Sequence, residues 1–372
     1  MRSLIFPLLL IVLVFAIPPE VEREALVAQA TQAEVTRVVG YRLTIQQEIL
    51  PGVPELVGRT YAVAASQKVS GFFVNGEGSW IGDSSLLDDT PLRQSAVERS
   101  RPSIIYDAAR IEHVNKFSIE ANPPEIRAYE TYFDSRIGNL KEYYLSHPDA
   151  FTLEKVGEDL FMEAGDRQFP ATLKANENGM LLLEIEGVST PSLRFSDNQR
   201  IQLGDTVYVT GTSSLGSGTV PLESVVVTGA AETTLQLSQP ASPGALVIGP
   251  SGDVLGAAIG LRESPLKTST EIRDLLIRHQ IPNQESPLTR IYREGLEQYF
   301  SGDYGAARQN FDQFLSSFPY SSDALLYREK AQELWETSRS PIEQFQAHPW
   351  RDRILLAGGV LLGIFILRRL FR

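Results

Sequence analysis

The chain contains no cysteine among its 372 residues. A disulfide framework, a thiolate metal site and a cysteine nucleophile are therefore all excluded. Histidine is scarce: His113, His147, His279 and His348 are the only four, and no two stand at a metal-ligand spacing. With no H-E-x-x-H and no local His pair, the residues offer no zinc motif, and neither cofactor nor metal is expected. Basic residues are outnumbered, with 34 Lys and Arg against 46 Asp and Glu, a net charge of -12. Phosphate recognition needs Lys and Arg clustered on one face, so nucleic acid is not expected as a partner. The acidic balance keeps a soluble body dispersed. The 42% hydrophobic content is ordinary for a folded protein, and the length suits about two or three domains.

What is present first is an apolar run at each end. In residues 1–20, Arg2 precedes an unbroken run from Leu4 to Ile17, followed by Pro18-Pro19. This is the outline of a signal peptide or of an uncleaved signal anchor. A small-x-small site, Ala28-Gln29-Ala30, lies further downstream than a signal peptidase favours. At the other end, residues 354–370 hold the run Ile354 to Leu367, flanked by Arg353 and by Arg368-Arg369. Each run is shorter than the roughly 20 residues a spanning helix wants. The arginine flanks, Trp350, and the glycines 358, 359 and 363 nevertheless suit a bilayer. The expectation is a membrane contact through a helix at each terminus. By the positive-inside rule the C-terminal tail is cytoplasmic and the main body extracytoplasmic.

Between the ends, residues 34–263 carry strand signals. Val38 to Ile45 and Asp205 to Thr210 alternate, and Val225-Val226-Val227 and Ala245 to Ile248 are short apolar runs bounded by Gly, Pro and Ser. Many short strands with turn residues between them indicate a sandwich or barrel. One helical interruption runs from Pro124 to about Ser146, with Ile126, Tyr129, Phe133, Ile137, Leu140 and Tyr144 mostly at helical spacing. Gly211 to Gly218 is a Gly-rich loop, but no Lys and no strand-loop-helix unit make it a phosphate cradle.

Five segments in order carry a resemblance. They are Ser70-Gly71-Phe72-Phe73-Val74 to Gly78, Leu181-Leu182-Leu183-Glu184-Ile185-Glu186-Gly187, Leu203-Gly204 to Gly211, Ala241-Ser242-Pro243-Gly244-Ala245-Leu246-Val247, and Gly252-Asp253-Val254-Leu255-Gly256. Together they resemble the trypsin-type proteases of the bacterial high-temperature-requirement group. That resemblance implies a mainly β chain, with a chymotrypsin-like double antiparallel β-barrel. It also implies a Ser nucleophile, a His base and an orienting Asp. Carried over position by position, the His falls near Ser85 and the Asp near Gly179, with Glu177 the nearest carboxylate. The Ser falls on Ser242. The second oxyanion donor would be the N–H two residues earlier, at Pro240, which has none. Losing the base alone costs several powers of ten in rate, so Ser242 is a vestigial candidate and no catalytic residue is assigned. An alternative keeps Ile111-Glu112-His113-Val114 as the base segment after a long insertion, giving a working endopeptidase of Ser242 with His113. Alternation around His113 reads instead as a strand.

Downstream, residues 264–285 form a polar linker. In residues 286–337, Gly295, Tyr304, Ala307, Phe311 and Pro319 resemble a single tetratricopeptide unit, a small α-helical hairpin with small residues where its helices touch. A third helix from about Ser321 to Glu336 would cover it. Such a unit is either a spacer or a peptide-binding element. Residues 338–353 lead to the C-terminal run. The expected function is that of a membrane-anchored pseudoprotease that binds a protein or peptide partner.

Overall fold

The computed structural model describes residues 18–117, 123–195, 201–210, 222–259 and 266–338. Their strands close into two antiparallel barrels of six. The first holds β1 (Gln32–Ile45), β2 (Thr60–Phe73), β3 (Ser79–Asp83), β4 (Phe151–Ala164), β5 (Arg167–Glu177) and β6 (Met180–Ile185). The second holds β7 (Thr206–Thr210), β8 (Leu222–Ala230), β9 (Thr234–Leu237), β10 (Leu246–Ile248), β11 (Val254–Ala257) and β12 (Leu266–Thr268). Around each barrel the strands follow one order: first, second, third, sixth, fifth, fourth, and back to the first. Fourth, first, second and third as neighbours make a Greek key. The same path twice is consistent with a chymotrypsin-like double barrel.

The expectation of a mainly β chain with membrane helices at both termini is overturned. Helices α1 (Pro19–Ala30), α2 (Asp89–Phe117), α3 (Pro123–Ile137), α4 (Leu140–Ser146), α5 (Ser269–Arg278), α6 (Pro287–Ser301), α7 (Tyr304–Ser317) and α8 (Ser322–Ser338) hold more residues than the strands. No described helix is long and apolar enough to cross a membrane. At the N-terminal side the reason is visible in α1. Glu20, Glu22, Arg23 and Glu24 break its apolar character, and Val21, Ala25 and Ala28 pack into the protein core with Leu246 and Ile248. The Ala28-Gln29-Ala30 site is buried in the last turn of α1, so it serves the fold and gives no support to a signal peptide. The apolar runs at 1–17 and 354–370, the stretch 339–353 and the Gly211–Gly218 loop lie outside the described residues.

Both barrels belong to one compact unit reaching Thr289. Its central core joins Phe72, Val74, Ile81, Met180 and Leu182 of the first barrel to Leu246, Ile248, Val254 and Ala257 of the second, and to Ile272 and Leu275 of α5. The three consecutive residues Leu181, Leu182 and Leu183 are each 0% exposed. Alternate side chains point to opposite faces, so this strand is buried on both.

Between β3 and β4 the chain inserts a helical lobe. In α2, Leu92, Ala96, Ser100, Ile104 and Ala108 recur every fourth residue and are buried, while Pro102 faces solvent. Leu92 and Ala96 cover Val39, Tyr41 and Ala65. Val97, Ile104, Ile105, Ala108 and Ile111 join Phe133, Ile137, Leu140, Leu43, Ile45 and Tyr61 in a second core. The helix expected over 124–146 is two helices. Gly138, at φ +65, ends α3, and Asn139 caps α4 by accepting from the N–H groups of Lys141 and Glu142. The stretch expected as a polar linker, 264–285, instead supplies β12, which closes the second barrel, and α5. The segment after α5 is fastened to the barrel unit as well. Asn283 bonds both the N–H and the carbonyl of Phe195 at 2.9 Å, and Ser192 N–H donates to Thr289 Oγ1 at 2.7 Å.

The second unit runs from Arg290. Tyr292, Leu296, Phe311, Phe314, Ala324 and Ala331 are buried in it. A Cβ on Gly295 would sit 2.8 Å from the Phe311 ring, so the α6–α7 contact requires a residue without a side chain there. Arg308 stacks on Trp335 at 4.7 Å.

Candidate functional site

Three connections stand where the resemblance places trypsin-type chemistry. The first follows β3. The Asp83 carboxylate accepts from Ser85 N–H at 2.7 Å and starts a 3-10 turn, Ser84–Leu87. Ser85, the expected base position, therefore belongs to a capped turn, held by side chains of β1 and β2. Gln67 Nε2 donates to the Ser85 carbonyl and Arg37 Nη1 to the Leu86 carbonyl, each at 3.1 Å. Arg37 is only 3% exposed and is paired at 2.5 Å with both Asp89 and Glu158. Burial alone would push its guanidinium down, but the bonds from Glu158 and Asp89 outweigh this and raise it.

The second connection is the hairpin between β5 and β6. Asn178 and Gly179 have φ of 53° and 80°. Two positive φ angles in an Asn-Gly loop make a type I′ turn, which favours Gly at the position where the orienting acid would stand. The nearby carboxylate, Glu177, turns instead to the end of α5. Its Oε1 lies 2.8 Å from His279 Nε2, and Oε2 accepts from Arg278 Nε at 3.1 Å. The His279 bond first, then Arg278, hold this carboxyl below its ordinary range. Ser84 N–H donates to the Gly179 carbonyl at 3.0 Å, so the base turn and the acid hairpin meet.

The third connection joins β9 and β10. Ala245 N–H donates to the Ser242 carbonyl at 3.0 Å. Pro243 and Gly244 lie between them, and Gly244 has φ +83. Pro then Gly with positive φ at the third position is the signature of a type II turn. Gln32 Nε2 donates to the Gly244 carbonyl at 3.0 Å. A Cβ on Gly244 would be 2.6 Å from Ser70 Cβ. Ser70 neighbours Gly71, which pairs with Gly82 just before the base turn. The third connection thus meets β2 at Ser70, next to the β2–β3 pairing that leads into the base turn.

The three connections do not make a triad. Among the described residues none hydrogen-bonds to the Ser242 hydroxyl, and Pro240 is exposed and has no N–H. His113 is not in a strand. It lies in the last turns of α2, within a lobe that packs on β1, β2, α3 and α4, while Ser242 belongs to the second barrel. The alternation read around it is the helical sequence Ile111 to Val114, in which Ile111 is buried and Val114 exposed. Among the described residues no three His, Asp or Glu side chains come together to hold a metal ion. The Arg37 and Glu177 clusters join residues up to 121 and 102 positions apart, and no local spacing signals them. No family model matches the chain, and no curated protein matches it.

Proposed function

We infer that the double barrel is a trypsin-type body of the high-temperature-requirement kind that has lost proteolysis and binds a protein or peptide partner. The three helices from α6 to α8 are read with it as a single tetratricopeptide-like unit, supported by the close approach of Gly295 to Phe311. One observation carries the reading. A type I′ turn occupies the acid position, a capped turn without histidine occupies the base position, and the serine stands without a base. Nucleophilic catalysis by serine needs a neighbour to take its proton. The framework that would hold the chemistry persists while the chemistry does not, which is expected where packing and surface carry the function. The endopeptidase reading of Ser242 with His113 has no comparable support.

The test is a fluorophosphonate probe on the purified protein, run beside Ser242→Ala and alongside a peptide-hydrolysis assay. No labelling above the variant's background is expected. Labelling and hydrolysis that both vanish in Ser242→Ala would overturn the reading.

A further inference from the structure

Two Asn-Gly pairs occur in the chain, Asn75-Gly76 and Asn178-Gly179. Asparagine before glycine carries an intrinsic reaction. The glycine backbone nitrogen attacks the side-chain amide carbon and forms a C–N bond. The bond to the amide nitrogen breaks, and that nitrogen leaves as ammonia with the proton the glycine nitrogen gives up. Water then opens the resulting succinimide at either carbonyl, giving aspartate or isoaspartate, in which the main chain runs through the side-chain carbon. Glycine favours the attack because no Cβ crowds its nitrogen. Closure also needs that nitrogen turned onto the asparagine Cβ. In a type I′ turn the ψ of the first central residue is about +30°, which points the nitrogen away from Cβ; in a type II′ turn it is about −120°, which brings the two together. A flip of the central peptide alone converts one turn into the other.

The two pairs differ in whether that flip is free. Asn178 already has the positive φ, 53°, that both turns share at this position, and Gly179 takes either sign of φ at little cost. The peptide between them is not held. Among the described residues neither the Asn178 carbonyl nor the Gly179 N–H has a hydrogen-bond partner, the Asn178 side chain has none, and both residues are exposed. Asn75 is the opposite case. It is 5% exposed. Its Oδ1 accepts from the N–H groups of Glu77 and Ser79 at 3.1 and 2.8 Å, and its Nδ2 donates to Ser79 Oγ at 2.9 Å. Its carbonyl, which a flip would have to turn, accepts from Thr190 Oγ1 at 2.8 Å. Those bonds must break before the ring can close there.

We propose that Asn178 is a site of spontaneous modification, where the acid hairpin converts with time to a succinimide and then to aspartate and isoaspartate, while Asn75 is spared. The product matters because of what the hairpin touches. The Gly179 carbonyl accepts from Ser84 N–H at 3.0 Å. Isoaspartate adds a main-chain atom to a two-residue loop whose geometry depends on its length. It therefore draws Gly179 away from Ser84 and releases the base turn from the acid hairpin. The test keeps the full chain at mildly alkaline pH, folded and in denaturant, and follows the tryptic peptides 69–93 and 175–194 by mass spectrometry. Fragmentation locates each exchange of amide for acid. In the folded protein position 178 is expected to convert at least about tenfold faster than position 75, whose bonds must first open. In denaturant the two are expected to convert at similar rates. Conversion at 75 as fast as at 178 in the folded protein, or none at 178 while the denatured chain converts, overturns the proposal. Amide exchange then tests the consequence. The Ser84 amide should exchange about tenfold faster in the isoaspartate fraction than in fresh protein, and at the original rate in Asn178→Asp, which keeps the loop length. Unchanged exchange at Ser84 in the isoaspartate fraction overturns the release of the base turn.

Discussion

Gly244 and Ser242 stand two positions apart and have opposite weights. Gly244 has φ +83, and a Cβ there would lie 2.6 Å from Ser70 Cβ on the first barrel. Gly244→Ala should therefore lower the unfolding free energy by about 1–3 kcal/mol, visible as a lower melting temperature. Ser242→Ala should leave the melting temperature and circular dichroism unchanged, because no described residue bonds its hydroxyl. The Pro-Gly pair after Ser242 marks a turn in the sequence, and the structure has a turn there. That Gly179 lies in a type I′ turn was not legible, because it depends on which two strands the Asn-Gly pair joins. Asp323 adds a residue-scale titration. It is buried in the second unit, and that burial raises its carboxyl above the ordinary range. In the unfolded chain it ionises at ordinary pH, whereas in the folded unit it resists. Stability of the helical unit should thus fall as pH rises from the ordinary aspartate range through the raised value, then level off. Asp323→Asn should flatten that fall and raise the melting temperature at neutral pH. An unchanged pH profile in the variant would remove Asp323 as its source.

At the scale of elements, the strands that alternate were readable, since a barrel buries one side of each. The alternating runs Val38–Ile45 and Asp205–Thr210 fall in β1 and β7, though β1 starts six residues earlier, at Gln32, and the apolar run Ala245–Ile248 falls in β10. The same logic hid α2. Its buried positions mix Leu92, Ala96, Ser100, Ile104 and Ala108, so small and polar residues stand where an apolar stripe is sought. Pro102 at its centre reads as a break. The helix persists because Pro102 lies on the exposed side, where water can take the carbonyl left without an amide partner, and because packing of the opposite face outweighs the local cost. That cost is still present in the folded protein. Pro102→Ala should stabilise the protein by about 1–3 kcal/mol in denaturant unfolding, with the slope unchanged. β12 and α5 were hidden differently. A strand of three residues and a helix of ten, Leu266–Thr268 and Ser269–Arg278, are too short for periodicity to outweigh the prolines on either side.

At the scale of the whole molecule, the two barrels follow one path, and the connection between their third and fourth strands sets them apart. In the second barrel it is the short stretch with Ser242. In the first it carries the 3-10 turn and the α2–α4 lobe. Symmetry alone would suggest that the lobe is a later addition that could be cut back to a short turn, since insertions in surface loops are tolerated well. The packing argues otherwise. The lobe covers Val39, Tyr41 and Ala65 on one stretch of the β1–β2 pair and Leu43, Ile45 and Tyr61 on the next, all buried in its presence. Its first residue, Asp89, also pairs with Arg37. Removing Asp89 leaves Glu158 as the one carboxylate paired with buried Arg37, and losing a hydrogen bond to a charged group costs about 1.5–3 kcal/mol. Replacing 89–149 by a short turn should therefore yield a protein that aggregates, or that keeps its strands while binding a hydrophobic dye and losing near-ultraviolet dichroism. Size-exclusion chromatography and those two spectra measure the outcome. A monomeric product with a cooperative melt near that of the full chain would show that the barrel holds its own core and that the lobe serves something other than its stability.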